Sequence, residues 1–137
     1  MSVGENRIDL PEPSREVSEH RAALADGRLM FQRCGRCAHA WLPPREHCPN
    51  CLSPAFAWEQ ASGEAKVVSW VVYHRAYHPA FADRVPYNVV VAELAEGPRL
   101  ISNVVGIDRD DGLGIDVALR LVTETEGEVP VARFRLA

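Results

Sequence analysis

Four cysteines in two close pairs, Cys34-x2-Cys37 and Cys48-x2-Cys51, restrict what this chain can fold into more than any other feature. Each C-x2-C makes a tight knuckle that turns two sulfurs toward one centre, and two knuckles together complete a tetrahedral shell. Ten residues separate the pairs. Gly35 sits inside the first knuckle, Pro49 inside the second, and Pro43-Pro44 bends the link between them. Four thiolates leave no open position for water, so the expected Zn2+ is structural and not catalytic. Arg33, Arg36 and Arg45 lie within or beside the knuckles, placed to offset the negative charge of the thiolates. His39 and His47 are rival ligands by type, but four sulfurs already fill the shell, and both read as loop histidines. Redox chemistry at C-x2-C is the minor alternative. An iron centre of rubredoxin type uses similar spacing, so spacing does not choose between the metals.

The chain has 137 residues, room for one ordinary domain or a small one with an appended module. Its hydrophobic share of 47% and charged share of 25% suit a soluble globular protein. The longest apolar run, 67–73, contains Ser69 and is too short to span a bilayer, so no membrane partner is expected. Residues 1–14 are polar and lack the apolar segment of a secretory signal. The expected address is cytoplasmic, where paired cysteines hold metal rather than form disulfides. A net charge of −4 argues against nucleic acid as the main partner, because phosphate neutralisation demands a basic excess.

Composition divides the chain into residues 1–28, an extended arm and short helix; 29–58, a zinc ribbon; and 59–137, a β-rich remainder. Over residues 1–13 Gly4, Pro11 and Pro13 predict the extended arm. Ser14 is placed as an N-cap and Gly27 as a helix stop, with Val17, Ala22, Ala23 and Leu24 forming a thin apolar stripe. Five strands are expected at 65–73, 88–94, 99–105, 116–122 and 131–136, each rich in β-branched or aromatic residues. Gly97-Pro98 marks a hairpin, Asp108–Gly112 a turn, and Gly127 with Pro130 a break before the last strand. Five short strands with short links predict a small closed barrel of OB type, with a small open sandwich as the structural alternative.

No catalytic residue emerges. Gly112-x-Gly114 precedes a strand rather than a helix, and neither a phosphate loop nor a nucleophile elbow is present. One stretch stands out, running from His74 to Tyr87 between the first two barrel strands. It holds two His, two Arg and three aromatics. The corresponding loop of an OB-fold borders its binding face, and aromatic with basic side chains can stack on and neutralise a nucleotide-like group. Arg75, Tyr77, His78, Phe81, Arg84 and Tyr87 are therefore the candidate contact residues. The plainer reading has Phe81 and Tyr87 plugging the barrel end while the polar residues face water.

The whole order now matters. A short helix and Asp26-Gly27-Arg28-Leu29 precede the two cysteine pairs, which flank Pro43-Pro44-Arg45. Trp58, Ser62-Gly63 and Val68-Ser69-Trp70 follow, then His78-Pro79-Ala80-Phe81, Val85-Pro86-Tyr87-Asn88-Val89-Val90 and Leu94–Leu100. From about residue 14 to 135 this order resembles the zinc-ribbon plus OB-fold proteins once catalogued as a domain of unknown function and since linked to acyl-CoA chemistry. The resemblance implies a mainly β chain with a short N-terminal helix, a rubredoxin-like four-cysteine zinc ribbon and a five-stranded OB barrel. It also implies a non-catalytic accessory subunit in a hetero-oligomer with a thiolase-family enzyme (a thiolase or an acyl-CoA aldolase). There it would help hold or channel acyl-CoA, with the CoA thioester as a shared ligand. The alternative is a zinc-ribbon OB protein that binds nucleic acid. Two departures are visible: Glu19 and His20 stand where many relatives carry an aromatic pair, and Ala38 and Leu52 stand where a glycine often follows each cysteine pair.

Overall fold

The structure is a computed structural model and describes residues 10–137, so most of the arm expected over 1–13 lies outside the described residues. Ser14 starts helix α1 (Arg15–Ala25), its hydroxyl accepting from the Val17 N–H at 3.2 Å. The helix ends at Asp26, and Gly27 follows at φ +79°, where the chain turns back. Its buried face is narrower than the expected stripe: Ala23 and Leu24 are buried, Val17 is half-buried and Ala22 faces water. So thin a stripe holds a helix only through packing on its neighbours.

The cysteine module has a three-stranded antiparallel sheet of its own, absent from the sequence reading. It consists of β1 (Met30–Cys34), β2 (Ala40–Trp41) and β3 (Phe56–Gln60), in the order β2-β1-β3. Gln32, fully buried in the middle of β1, masks the strand's alternation. Its amide donates to the Arg45 carbonyl (2.7 Å) and accepts from the Arg45 N–H (2.8 Å), fixing the link between the knuckles.

The remaining strands are β4 (Glu64–Tyr73), β5 (Tyr87–Leu94), β6 (Arg99–Ser102), β7 (Ala118–Glu126) and β8 (Val129–Leu136). They pair antiparallel in the order β6-β5-β4-β7-β8. Past β6 the chain crosses to β8: Val105 N–H donates to the Phe134 carbonyl (2.8 Å) and Phe134 N–H to the Asn103 carbonyl (3.0 Å). This contact almost closes the sheet, so the OB barrel stands and the open sandwich does not. Val67, Val90, Leu94, Leu119 and Phe134 fill the barrel, and the same cluster continues through Leu24, Leu29 and Phe31. Helix, ribbon and barrel therefore share one core. Among the described residues no helix is long and apolar enough to cross a membrane.

Three strand limits differ from expectation. The strand expected at 99–105 ends at Ser102, because Asn103 and Val104 leave it to meet β8. The strand expected at 116–122 runs instead from Ala118 to Glu126, since Asp116 adopts φ +63° and still belongs to the preceding turn. Pro130 does not break the last connection. It lies in β8 opposite Thr125, on a terminal strand of the sheet where a missing N–H is tolerated, and Gly127-Glu128 alone make the turn.

The helix docks on the ribbon through Trp58. Its indole N–H donates to Glu19 (2.9 Å), and the His20 ring lies 6.3 Å from it with Nδ1 3.2 Å from the Met30 carbonyl. Burial pushes the His20 imidazole below its ordinary value. The unfolded chain therefore binds a proton there more readily, and stability falls as pH drops below about 6.5, the unfolded value. Replacing His20 with Asn, which can still donate to Met30, is expected to flatten thermal stability against pH across that window.

Candidate functional site

The four sulfurs converge. Cys34 and Cys51 Sγ are 3.5 Å apart, Cys37 and Cys48 Sγ are 3.6 Å apart, and all four lie within 4.8 Å of one another. A disulfide would need about 2.05 Å, whereas a tetrahedron of sulfurs around zinc has edges of about 3.8 Å for bonds near 2.3 Å. The donor set and its spacing fit zinc.

The two knuckles are built alike. In the first, Arg36 N–H donates to Cys34 Sγ (3.3 Å), Ala38 N–H to the Cys34 carbonyl (3.1 Å), and Cys34 N–H to the His39 carbonyl (2.8 Å). In the second, Asn50 N–H donates to Cys48 Sγ (3.4 Å), Leu52 N–H to the Cys48 carbonyl (2.8 Å), and Cys48 N–H to the Ser53 carbonyl (2.9 Å). The Cys37 N–H brings the Cys34 thiol down to about 6, and the Asn50 side chain lowers Cys37. Cys51 accepts from the Ser53 N–H, yet burial and three neighbouring thiols push it up to about 11. A divalent cation bound here would displace the protons that the thiols carry.

Both knuckles turn through left-handed backbone, φ +66° at Ala38 and +67° at Leu52, where a side chain clashes with its own carbonyl. Leu52 is 72% exposed and loses no packing on truncation. Ala38→Gly and Leu52→Gly are each expected to stabilise the protein by about 0.5–1 kcal/mol, net of glycine's greater unfolded freedom. Thermal unfolding at equal metal content reads the effect.

The second cluster sits at the end of the barrel. Tyr73 and Tyr87 rings are 5.4 Å apart, Phe81 stacks on Tyr87 at 5.8 Å, and Tyr77 lies 6.3 Å from Tyr73. Arg84 covers the Phe81 ring at 4.8 Å and pairs with Glu126 beside the β7–β8 turn. The Arg84 pairing, with Arg133 behind it, holds the Glu126 carboxyl below its usual range. The β4–β5 loop is thereby tied to the β7–β8 loop, the two loops that border the binding face of OB-folds.

Comparison with known proteins gives this architecture a family. A model described as the ChsH2 rubredoxin-like zinc ribbon domain matches residues 21–57, and one described as the ChsH2 C-terminal OB-fold domain matches residues 58–124. A DUF35 domain-containing scaffold protein of Methanothermobacter thermautotrophicus is 33% identical over 110 residues, 77% of this chain and 81% of that one. The chain belongs to the DUF35 family of ChsH2-type proteins. A solved structure titled Ltp2-ChsH2(DUF35) aldolase superposes with a TM-score of 0.78 at 35% identity, covering 93% of this chain and 98% of the other. A probable enoyl-CoA hydratase alpha subunit of Thermomonospora curvata is 42% identical over 130 residues, 93% of this chain. The chain spans only 39% of that relative's length.

Within this DUF35 chain the expected contact residues do not share one role. Tyr77 is 77% exposed with Arg75 over its ring at 5.2 Å, so both are presented outward. Phe81 and Tyr87 are half-buried in the ring cluster. His78 Nδ1 accepts from the Ala80 N–H (3.0 Å) and caps the 3-10 turn at Pro79–Phe81. Of the arginines expected near the sulfurs, Arg33 pairs with Glu59 (2.7 Å) and donates to the Ala38 carbonyl of the first knuckle (2.9 Å), and Arg36 and Arg45 contribute through their backbone N–H groups, Arg36 to a sulfur and Arg45 to Gln32. The sequence reading missed Tyr73 and Glu126 as members of the loop cluster. Tyr73 directly opposite Tyr87 was the available signal, since facing aromatics on paired strands interact.

Proposed function

We propose that this chain is a non-catalytic accessory subunit of an acyl-CoA enzyme of the thiolase superfamily, with Cys34, Cys37, Cys48 and Cys51 holding a structural zinc. One observation carries the reading: a zinc-ribbon staple and an OB barrel share one core, and the barrel ends in aromatic rings with arginines. The names of the relatives, a scaffold protein, an aldolase complex and a hydratase subunit, support the same reading. The proposed units are residues 1–28, 29–58 and 59–137, with the first two positioning the barrel's loops against the enzyme. In a cytoplasmic hetero-oligomer, Arg75 and Tyr77 meet the adenosine phosphates of CoA or the enzyme surface beside them. Phe81, Arg84 and Tyr87 hold that loop in place, and the capped His78 sets its turn.

The nucleic-acid alternative is less well supported. Lys66 and Arg99 on the outer barrel surface are both engaged by Glu93 (3.8 and 2.8 Å), and Arg84 by Glu126, so these three offer a phosphate backbone little free charge.

Phe81→Ala and Tyr87→Ala test the loop. Each is expected to weaken CoA-thioester or enzyme binding by about tenfold, as removal of an aromatic anchor does, with a smaller loss of folding stability. A thermal loss without any binding defect would show that the rings only plug the barrel.

A further inference from the structure

A sheet with one face in a core and the other in water should alternate apolar and polar residues. β5 does not. It alternates strictly between half-buried and buried, with Asn88, Val90, Ala92 and Leu94 pointing in, yet the outward row of Tyr87, Val89 and Val91 is apolar as well until Glu93 ends it. Register carries this outer row across the sheet, with Val71 opposite Val89, Tyr73 opposite Tyr87, and Ile101 opposite Val91. Val71 is 51% exposed, Tyr73 41% and Ile101 74%, and Tyr77 extends the row at 77%. These four are most of the large exposed apolar side chains among the described residues, and strand register with the Tyr73–Tyr77 ring contact sets them along one surface. Contiguous apolar patches above roughly a few hundred Å² mark interaction sites. Unbroken apolar strands are those covered on both faces.

The charges around the patch indicate what covers it. At one end Glu93 binds Lys66 and Arg99, and Asp116 binds Lys66 from the other side, so that ladder is balanced and has no carboxylate to spare. At the other end Arg75 rests over Tyr77 with no carboxylate partner among the described residues. A second copy of this chain is poorly matched. A two-fold axis along the strands sets Arg75 against Arg75, and an axis across them sets Arg75 against the Lys66–Arg99 end. The first buries like charges together, and the second leaves Arg75 facing carboxylates that are already engaged.

We infer that the outer face of β4, β5 and β6 is the docking surface for the acyl-CoA enzyme subunit, which brings an apolar surface to Val71, Val89 and Ile101 and a carboxylate to Arg75. This rests on the accessory-subunit reading and extends it from the loop to the sheet beside it. Buried anchors in the centre of such a patch carry most of the affinity, and the charged ends set orientation.

Ile101→Glu tests it, with Ile115→Glu, at a 64% exposed isoleucine in the β6–β7 connection and outside these three strands, as the matched control. Both variants should keep wild-type thermal stability and metal content, since neither side chain is buried. The tagged chain is purified from its own host, and the acyl-CoA enzyme subunit recovered in fixed ratio is quantified. Ile101→Glu is expected to reduce that recovery about tenfold or more, and Ile115→Glu to leave it unchanged. Equal recovery with Ile101→Glu overturns the docking face while leaving the accessory reading intact. No enzyme with the wild-type chain overturns both. A wild-type homodimer in sedimentation that Ile101→Glu splits into monomers makes the occupant a second copy and overturns the inference.

Discussion

Cys48→Ser is expected to yield an unfolded or insoluble chain without bound zinc. Cys48 is fully buried, its sulfur sits 3.6 Å from Cys37, and its backbone anchors the second knuckle at both ends. A serine hydroxyl does not replace a thiolate ligand, and three sulfurs do not close the shell. Structural zinc contributes on the order of 10 kcal/mol to folding in such modules. That matches the whole stability of an ordinary domain, about 5–15 kcal/mol. The damage would not stay in the ribbon. Leu29 and Phe31, just ahead of Cys34, lie in the cluster that fills the barrel, so an unfolded ribbon opens the barrel core to water. Expression yield, zinc content and circular dichroism together read the result. A soluble, folded, metal-free variant that binds its partner at full strength would contradict the staple.

The second large effect is expected at Asn88→Leu. Asn88 is buried on the inner side of β5, and its amide makes three hydrogen bonds: it donates to the carbonyls of Val104 (2.9 Å) and Arg109 (2.8 Å) and accepts from the Val104 N–H (2.7 Å). These bonds hold the segment after β6 at the place where Val104 crosses to Phe134 and closes the sheet. Leucine of similar volume leaves three backbone groups without this partner, each costing about 1–3 kcal/mol when buried. Some recover water at the Arg109 end, so the expected loss is about 3–5 kcal/mol. Denaturant unfolding measures it. A loss below about 1 kcal/mol would mean that the crossing strand is held by packing alone.

The cysteine site was legible because its information is local: two knuckles carry their own geometry within a few residues each. Ser14 and Gly27 were legible for the same reason, as caps act on the next turn of chain. The barrel strands showed through their β-branched runs, and Gly97, at φ +113°, marked its hairpin. What stayed hidden depends on distant partners. Asn88 read as the polar start of a strand and Gln32 as one residue of the cysteine module, and only the segments that cross above them show why they are buried. Arg84 pairs with Glu126, 42 residues away, so no spacing rule joins them. Ala38 and Leu52 stand where relatives often carry glycine, and their positive φ angles give the physical reason. The apolar outer face of β5 was present in the sequence as Val89-Val90-Val91 but passed for strand propensity, because a run of valines does not say which face is covered.

Native mass spectrometry of the chain purified under mild conditions from its own host tests the central claim most directly. The expected spectrum shows this chain one zinc heavier than its sequence mass, in an integer-ratio complex with an acyl-CoA enzyme subunit of the thiolase superfamily. Recovery of the zinc-loaded chain alone, or bound to nucleic acid, would contradict the accessory role.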